Sequence, residues 1–168
     1  MSKGPSVLAL LSCLVSWTAA AEEIDKSHPA AIEPQVTQLT FQTVDGDTQQ
    51  VNSEDIWRIR ATSTSDEPRG AIVIDYGFER VYIKESMASV VEKVNGVRPL
   101  RKFTLPGGGP VYLVAAKVTG ITRTIPNLSH PNAHAIIISR WGGDFGHTQV
   151  QETREAVIKA LDLTHPPE

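Results

Sequence analysis

The sequence contains a single cysteine, Cys13, which lies in a short apolar stretch near the N-terminus. Removal of this stretch as a secretory signal would leave no thiol, which excludes disulfide bonds, thiol catalysis and thiolate metal sites. An exported domain without disulfides depends on its hydrophobic core for stability. The remaining chain is long enough for one ordinary domain or two very small ones.

Two further absences restrict the classes of function. The net charge is −3 and no block of basic residues is present, so the basic stripe typical of nucleic-acid-binding proteins is missing. No apolar run after the N-terminal one approaches the ~20 residues that a membrane-spanning helix needs. We therefore expect no nucleic-acid partner, no cofactor, and no transmembrane helix after signal cleavage.

Residues 1–21 have the three parts of a secretory signal. Lys3 supplies positive charge, the apolar run VLALLSCLVSW follows, and Thr18–Ala21 offers the small residues that signal peptidase reads. We predict cleavage after Ala21 and a secreted or periplasmic protein. The tripeptide Leu-Leu-Ser before Cys13 loosely resembles a lipobox, so a lipid anchor at Cys13 is the alternative.

The sequence following Gln38 is similar to the sequence following Arg101. The corresponding residues are Phe41 and Phe103, Gly46 and Gly108, Val51 and Leu113, Ile56 and Val118, and Ile59 and Ile121. After a variable loop, AIVI at 71–74 aligns with AIII at 135–138, and residues 83–94 align with residues 150–161. Self-similarity in a fixed order predicts a duplicated supersecondary unit.

This repeat predicts the organisation of the chain. We expect a signal peptide at 1–21, a flexible leader at 22–37, a first β-rich unit at 38–97, a second at 101–163, and a tail at 164–168. The predicted fold class is α+β, with two tandem units of small antiparallel sheet (strand-strand-strand-hairpin), each followed by one helix. Units of this size are only marginally stable alone, so we expect the two to pack together.

Both predicted helices follow a change in hydrophobic period. Apolar residues at helical spacing follow Ser86 (Met87, Val90, Val91 and Val94) and Thr153 (Ala156, Val157, Ala160 and Leu161). A hydroxyl at the N-cap accepts a hydrogen bond from a free N–H of the first turn. The pattern therefore predicts helices over 86–94 and 153–161.

Short stretches in both units carry a family resemblance. They are Asp45-Gly46, Val51–Ile56 and Ile83–Ser86 in the first unit, and Pro110–Leu113 and Val118–Ile121 in the second. These stretches resemble a family of small flagellar-operon proteins of about one unit's length. Members of that family carry no accepted catalytic residues, so the resemblance assigns no functional residue to this chain. This chain departs from the family because it is duplicated and predicted to be exported.

Histidines in the second unit provide a candidate metal-ligand set. Imidazole and carboxylate groups that suit zinc or copper occur at His130, His134, His147 and Asp144. With Gly142-Gly143 as a hairpin turn, His147 lies opposite Ile138, and His134 lies four residues further along that strand. This places the two imidazoles about 13 Å apart. We therefore predict no metal site.

No complete catalytic constellation is visible in the sequence. A hydrolase needs a nucleophile, a base and a group that orients the base, and the available set is Ser129, His130 and His147. The glycine-rich stretch Leu105–Pro110 lacks a lysine and precedes a strand, so it is a hairpin turn and not a phosphate loop. We predict no catalytic residues. A small secreted hydrolase and a periplasmic metal-binding protein are the alternatives to a non-enzymatic role.

Three aromatic residues, Trp57, Trp141 and Tyr76, provide the strongest signal for partner binding, because aromatic side chains often anchor interfaces. Trp57 is out of phase with the apolar pair Ile56 and Ile59, so we expect it to face solvent. The spacing of that pair indicates a bulge or a helical turn. The sequence thus predicts an exported, non-enzymatic binding or accessory protein whose partner is a protein or another envelope component.

Overall fold

A computed structural model of the protein describes residues 36–162. The predicted signal peptide, most of the leader, and residues 163–168 lie outside the described residues. The strands are β1 (Gln38–Gln42), β2 (Thr48–Asn52), β3 (Ile56–Ala61), β4 (Ile72–Tyr76), β5 (Glu79–Ile83), β6 (Leu100–Thr104), β7 (Pro110–Val114), β8 (Val118–Arg123), β9 (Ala135–Trp141) and β10 (Asp144–Val150). The helices are α1 (Met87–Asn95) and α2 (Arg154–Leu161). The predicted α+β class is therefore confirmed.

The described strands form three antiparallel sheets. A central sheet has the order β5-β4-β3-β7-β6, while β1-β2 forms a hairpin and β10-β9-β8 forms a three-stranded sheet. At the middle of the central sheet, β3 pairs with β4 on one side and with β7 on the other. The central sheet is thus assembled from strands that precede α1 and strands that follow it.

One face of the central sheet packs against α1 and the β1-β2 hairpin. Strand pairing places Ile59 opposite Ile74, and Ile74 opposite Val81, so their side chains share a face. All three are buried in one apolar cluster with Val90 and Val94 of α1. The cluster also contains Phe41, Val51, Ile56, Ile72, Ile83, Leu100 and Val114.

The other face of the central sheet contributes to a second apolar cluster. Phe103, Val111 and Leu113 of β6 and β7 pack there with residues of β9, β10 and α2. The buried residues from those three elements are Ala135, Ile137, Val150, Val157 and Leu161. The central sheet therefore lies between two apolar layers, each of which includes one helix.

Both helices begin where the sequence predicts. The Ser86 hydroxyl accepts a hydrogen bond from the N–H of Ser89 at 3.3 Å, and the Thr153 hydroxyl accepts one from Ala156 at 3.3 Å. These contacts satisfy one free donor in each first turn. The helical period and the two caps are local features, which is why the sequence alone locates them.

A β-bulge interrupts β3 at Trp57. The register with β4 shifts between Ile56 and Arg58, so Trp57 is the extra residue. The shift lets Ile56 and Ile59 both enter the core although they are three residues apart, and both are fully buried. The predicted bulge is confirmed. The expected exposure of Trp57 is wrong, because only 5% of that residue is accessible to solvent.

Candidate functional site: an aromatic cluster between two hairpin tips

Two hairpin tips supply most of the candidate site. The β4-β5 hairpin closes with Tyr76 opposite Glu79, so Gly77 and Phe78 form the tip. Gly77 has a φ of 51°, a conformation that glycine adopts readily. From the sequence alone, Tyr76-Gly77 is a plausible two-residue turn before β5, and the turn in the structure lies one residue later. The β9-β10 hairpin turns at Gly142-Gly143 as predicted.

The tips bring together what we call the aromatic cluster: Trp57, Tyr76, Phe78 and Trp141. The rings of Trp57 and Trp141 are stacked, with centroids 4.4 Å apart and planes inclined by 14°. Phe78 meets Trp141 edge-on at a centroid distance of 6.4 Å and is 78% exposed. A tryptophan stack, buried at Trp57 and partly exposed at Trp141, therefore lies beside an exposed phenylalanine.

Two adjoining pockets border the aromatic cluster. One, of about 240 Å³, is lined by Trp57 and Trp141 together with charged residues. The other, of about 440 Å³, is lined by Tyr76 and Trp141. Both pockets also include Gly77, Phe78 and Glu79 in their walls. All three residues that the sequence identified as possible partner-binding residues, Trp57, Trp141 and Tyr76, therefore lie around one surface.

A row of charged side chains lies beside the tryptophan stack. Arg58 lies opposite Asp75, and Asp75 lies opposite Arg80, across three adjacent strands. The Nε atoms of Arg58 and Arg80 donate to the Asp75 carboxylate at 2.7 Å and 2.9 Å. The Arg58 guanidinium carbon is also 4.4 Å from the centroid of the Trp57 ring, a cation–π distance. Burial lowers the pKa of Arg58, although Asp75 opposes this effect.

A second carboxylate, Glu67, extends this charged row. Two nitrogens of Arg60 donate to the Glu67 carboxylate at 2.9 Å and 2.5 Å, and Arg80 donates to it at 3.2 Å. The hydrogen bonds from Arg60 lower the pKa of Glu67 to about 2, although burial acts in the opposite direction. Three guanidinium groups thus share two carboxylates within this charged row.

The aromatic cluster contains three polar groups, which are two indole N–H groups and one phenol hydroxyl. The indole N–H groups of Trp57 and Trp141 are buried and have no acceptor among residues 36–162. Buried donors without an acceptor are uncommon in proteins. The Tyr76 hydroxyl donates to Glu79 at 2.7 Å, and burial together with this bond raises the pKa of Tyr76 to about 12. Tyr76 is therefore neutral near neutral pH.

His134 and His147 lie at different positions along the β9-β10 hairpin. His147 lies opposite Ile138, as the predicted hairpin requires, and His134 is near the other end of β9. The Nδ1 atom of His130 accepts a hydrogen bond from the Asn132 N–H at 3.1 Å. Within the described part of the chain, no group of three or more histidine, cysteine, aspartate or glutamate residues is placed to hold a metal ion.

The residues considered for hydrolysis are only partly brought together. His130 and His147 both line a cavity of about 590 Å³, which Arg58 also borders. The Ser129 side chain lies outside the lining of that cavity, and its hydroxyl accepts a hydrogen bond from the Ile125 N–H at 2.9 Å. The structure therefore provides no serine–histidine pair for nucleophilic catalysis among these residues.

Sequence reasoning missed Phe78 and the charged row. The signal for Phe78 was its position directly after Gly77, in a turn that the sequence analysis placed one residue too early. The signal for the charged row was weaker, because Arg58, Asp75 and Arg80 become neighbours only when three strands pair in one register. The tryptophan stack likewise joins residues that are far apart in the sequence.

In the part of the chain that the structure describes, no helix has the length and apolar character to cross a membrane. Comparison of the chain with protein-family profiles, with curated proteins and with solved structures found no match. The functional interpretation therefore depends on the geometry of the aromatic cluster.

Proposed function

We propose that the protein is an exported, non-enzymatic binding or accessory protein whose partner docks on the aromatic cluster. The observation that carries this proposal is the 78% exposure of Phe78 beside the Trp57–Trp141 stack. A large apolar side chain held on a rigid aromatic base can enter a pocket of a partner. Aromatic residues in such positions often contribute most of the binding energy.

The surroundings of Phe78 favour a partner with both apolar and polar groups. Both pockets that Phe78 lines are also lined by Glu79, and one of them is lined by Arg80 as well. The Arg80 side chain is 41% exposed, so part of its charge remains accessible. We therefore propose a protein or another envelope component that combines an apolar contact with charged groups at the rim.

Site-specific photo-crosslinking tests this function. A benzophenone amino acid replaces Phe78 in the full-length chain produced in its own cells, and a second variant carries it at Leu128. Leu128 is the matched control because it is also 78% exposed. We expect a discrete adduct from position 78 and none from position 128. Equal labelling at both positions, or no adduct at either, would refute the proposed binding surface.

We also propose that the chain is a tandem duplication of one unit, five strands followed by a helix. Matching turns support the proposal. Residues Gly46 and Gly108 occupy the same place in the alignment and have φ angles of 92° and 91°. The N–H of Thr43 donates to the Asp47 carbonyl at 2.9 Å, and the N–H of Leu105 donates to the Gly109 carbonyl at 2.8 Å.

Matching contacts before the two helices support the same proposal. The carboxylate of Glu85 accepts a hydrogen bond from the Gln42 N–H at 3.2 Å, and that of Glu152 accepts one from the Thr104 N–H at 2.9 Å. Each glutamate directly precedes an N-cap residue. Superposition of residues 38–97 and 101–162 in an experimental structure tests the duplication, and helices at non-equivalent positions would contradict it.

Export is the remaining part of the proposed function. The support is the sequence of residues 1–21, with its positive, apolar and small-residue regions. N-terminal sequencing of the protein recovered outside the cytoplasm tests this. We expect a mature chain that begins at Glu22. A protein that begins at Met1, or a lipid-modified Cys13, would contradict cleavage after Ala21.

A further inference from the structure

Six of the described strands have a sheet partner on one side alone, and β8 and β2 are two of them. β8 pairs only with β9, and β2 pairs only with β1. The backbone groups along such an edge can pair with another strand, and proteins commonly cover or use these edges. The strands β8 and β2 lie on opposite sides of α1 in the sequence.

The pairing of β3 with β7 shows how strands equivalent to β8 and β2 can pair. β3 receives β7 through the antiparallel register Arg58–Leu113, Ile59–Tyr112 and Arg60–Val111. In the proposed repeat, β8 corresponds to β3, and β2 corresponds to β7. The pairing of β3 with β7 is therefore formed within the molecule. The corresponding strands, β8 and β2, each keep a free edge.

The bulge occurs at the corresponding place in both receiving strands. In β3 the register shifts between Ile56 and Arg58, and the three residues after the shift pair with β7. In β8 the register shifts between Val118 and Gly120. Residues 120–122 of β8 therefore correspond to the three residues of β3 that pair with β7.

We propose that the protein associates with a second copy of itself, head to tail, by pairing β8 of one copy with β2 of the next. The expected antiparallel register is Gly120–Val51, Ile121–Gln50 and Thr122–Gln49. This inference rests on the proposed internal repeat. Contact between two different surfaces of identical chains generates a closed ring or an open series, so the assembly contains more than two copies or closes on itself.

The side chains at the free edge indicate a weak and reversible association. In the internal junction, Tyr112 and Val114 of β7 pack against the apolar cluster that contains α1. The corresponding residues of β2 are Gln50 and Asn52, which bury less apolar surface when they dock. The backbone hydrogen bonds of strand addition supply most of the contact.

Disulfide trapping between copies tests the proposed register. Two single-cysteine variants, Thr122→Cys and Gln49→Cys, are made in a full-length Cys13→Ser chain, mixed and mildly oxidised. We expect a disulfide-linked dimer with a yield at least about tenfold above that of Thr122→Cys mixed with Thr40→Cys, since a disulfide requires close Cα atoms. Thr40 is the off-register control because it lies on β1, away from the free edge. Ile121→Cys mixed with Gln50→Cys gives a second in-register pair.

Each outcome of this experiment decides the question. The double variant Thr122→Cys/Gln49→Cys should form a ladder of linked oligomers. An internal disulfide in a monomer would show that the edges close on each other within one copy, and equal yields for in-register and off-register pairs would show random collision. Either result overturns the proposal. Adding Phe78→Ala should leave the yield unchanged, so this test fails or succeeds independently of binding at the aromatic cluster.

Discussion

Gly146 of β10 and Trp57 of β3 touch so closely that no side chain fits between them. A Cβ atom on Gly146 would lie 2.6 Å from the Trp57 ring and 2.5 Å from the ring of Trp141. The tryptophan stack therefore rests directly on the backbone of β10. This contact joins the β9-β10 hairpin to the central sheet at the base of the aromatic cluster.

Gly146→Ala should displace the stack. We expect a loss of about 1–3 kcal/mol in the free energy of unfolding, typical of overpacking, together with a weaker near-ultraviolet circular dichroism signal from the tryptophans. Gly143→Ala is the matched control, because a Cβ at Gly143 meets no atom within 4 Å. Urea denaturation measures both variants. Equal stability of the two would contradict the close packing.

Trp57 should be the better protected of the two stacked tryptophans. Trp57 is buried, whereas Trp141 is partly exposed at a hairpin tip. In a chain with Trp17→Phe and Trp141→Phe, we expect Trp57 emission at shorter wavelength and weak quenching by acrylamide. The paired chain with Trp17→Phe and Trp57→Phe reports Trp141 and should be quenched more. The reverse order would place Trp57 at the surface.

Glu67 should make the free energy of unfolding decrease at acidic pH. Its pKa in the folded protein is about 2, below the ordinary value of 4.5, so its stabilising contribution is fully present above pH 4.5 and is lost as the pH falls toward 2. The expected loss over this window is about 3 kcal/mol. Urea unfolding between pH 6 and pH 2 measures it.

Glu67→Gln is the control for the acid dependence. The substitution keeps the size of the side chain but removes the charge that Arg60 and Arg80 share. We expect a loss of about 3–5 kcal/mol at neutral pH, because it leaves buried guanidinium charge unpaired. The slope of stability against pH below 4.5 should then decrease. An unchanged slope would assign the acid dependence to other carboxylates.

The N-caps of α1 and α2 should contribute similar amounts to the free energy of unfolding. Ser86→Ala and Thr153→Ala each remove the side-chain acceptor of the first turn, and each should cost about 1 kcal/mol of stability. Ser86→Thr keeps a hydroxyl and serves as the control. Because the caps are on separate helices, the double alanine variant should lose the sum of the two effects. A neutral result at only one cap would show that the two helix starts differ in energy.

The sequence predicts the local parts of this fold well. The helices depend on apolar spacing within one turn and on hydroxyls at Ser86 and Thr153, so their signals lie within a few residues. The β9-β10 turn follows from Gly142-Gly143. By contrast, the pairing of β3 with β7 joins residues about fifty positions apart, and no local pattern specifies which edge accepts which strand.

The candidate site was predicted in composition but not in geometry. The sequence identified Trp57, Trp141 and Tyr76, and it indicated a bulge near Trp57. It could not show that the bulge turns Trp57 onto Trp141, because the stack also requires a glycine at position 146 on a distant strand. Phe78 becomes a candidate binding residue only because it contacts the ring of Trp141, which the sequence does not show.

The pairing of β3 with β7 also constrains the order in which the protein can fold during synthesis. A ribosome releases β3 well before β7, so one edge of β3 stays uncovered until residues 110–114 emerge. The central sheet then closes only when sequence from both sides of α1 is present. A chain truncated between Asn95 and Leu100 would therefore keep an unfinished sheet, and the two halves of this protein should fold and unfold as one cooperative body.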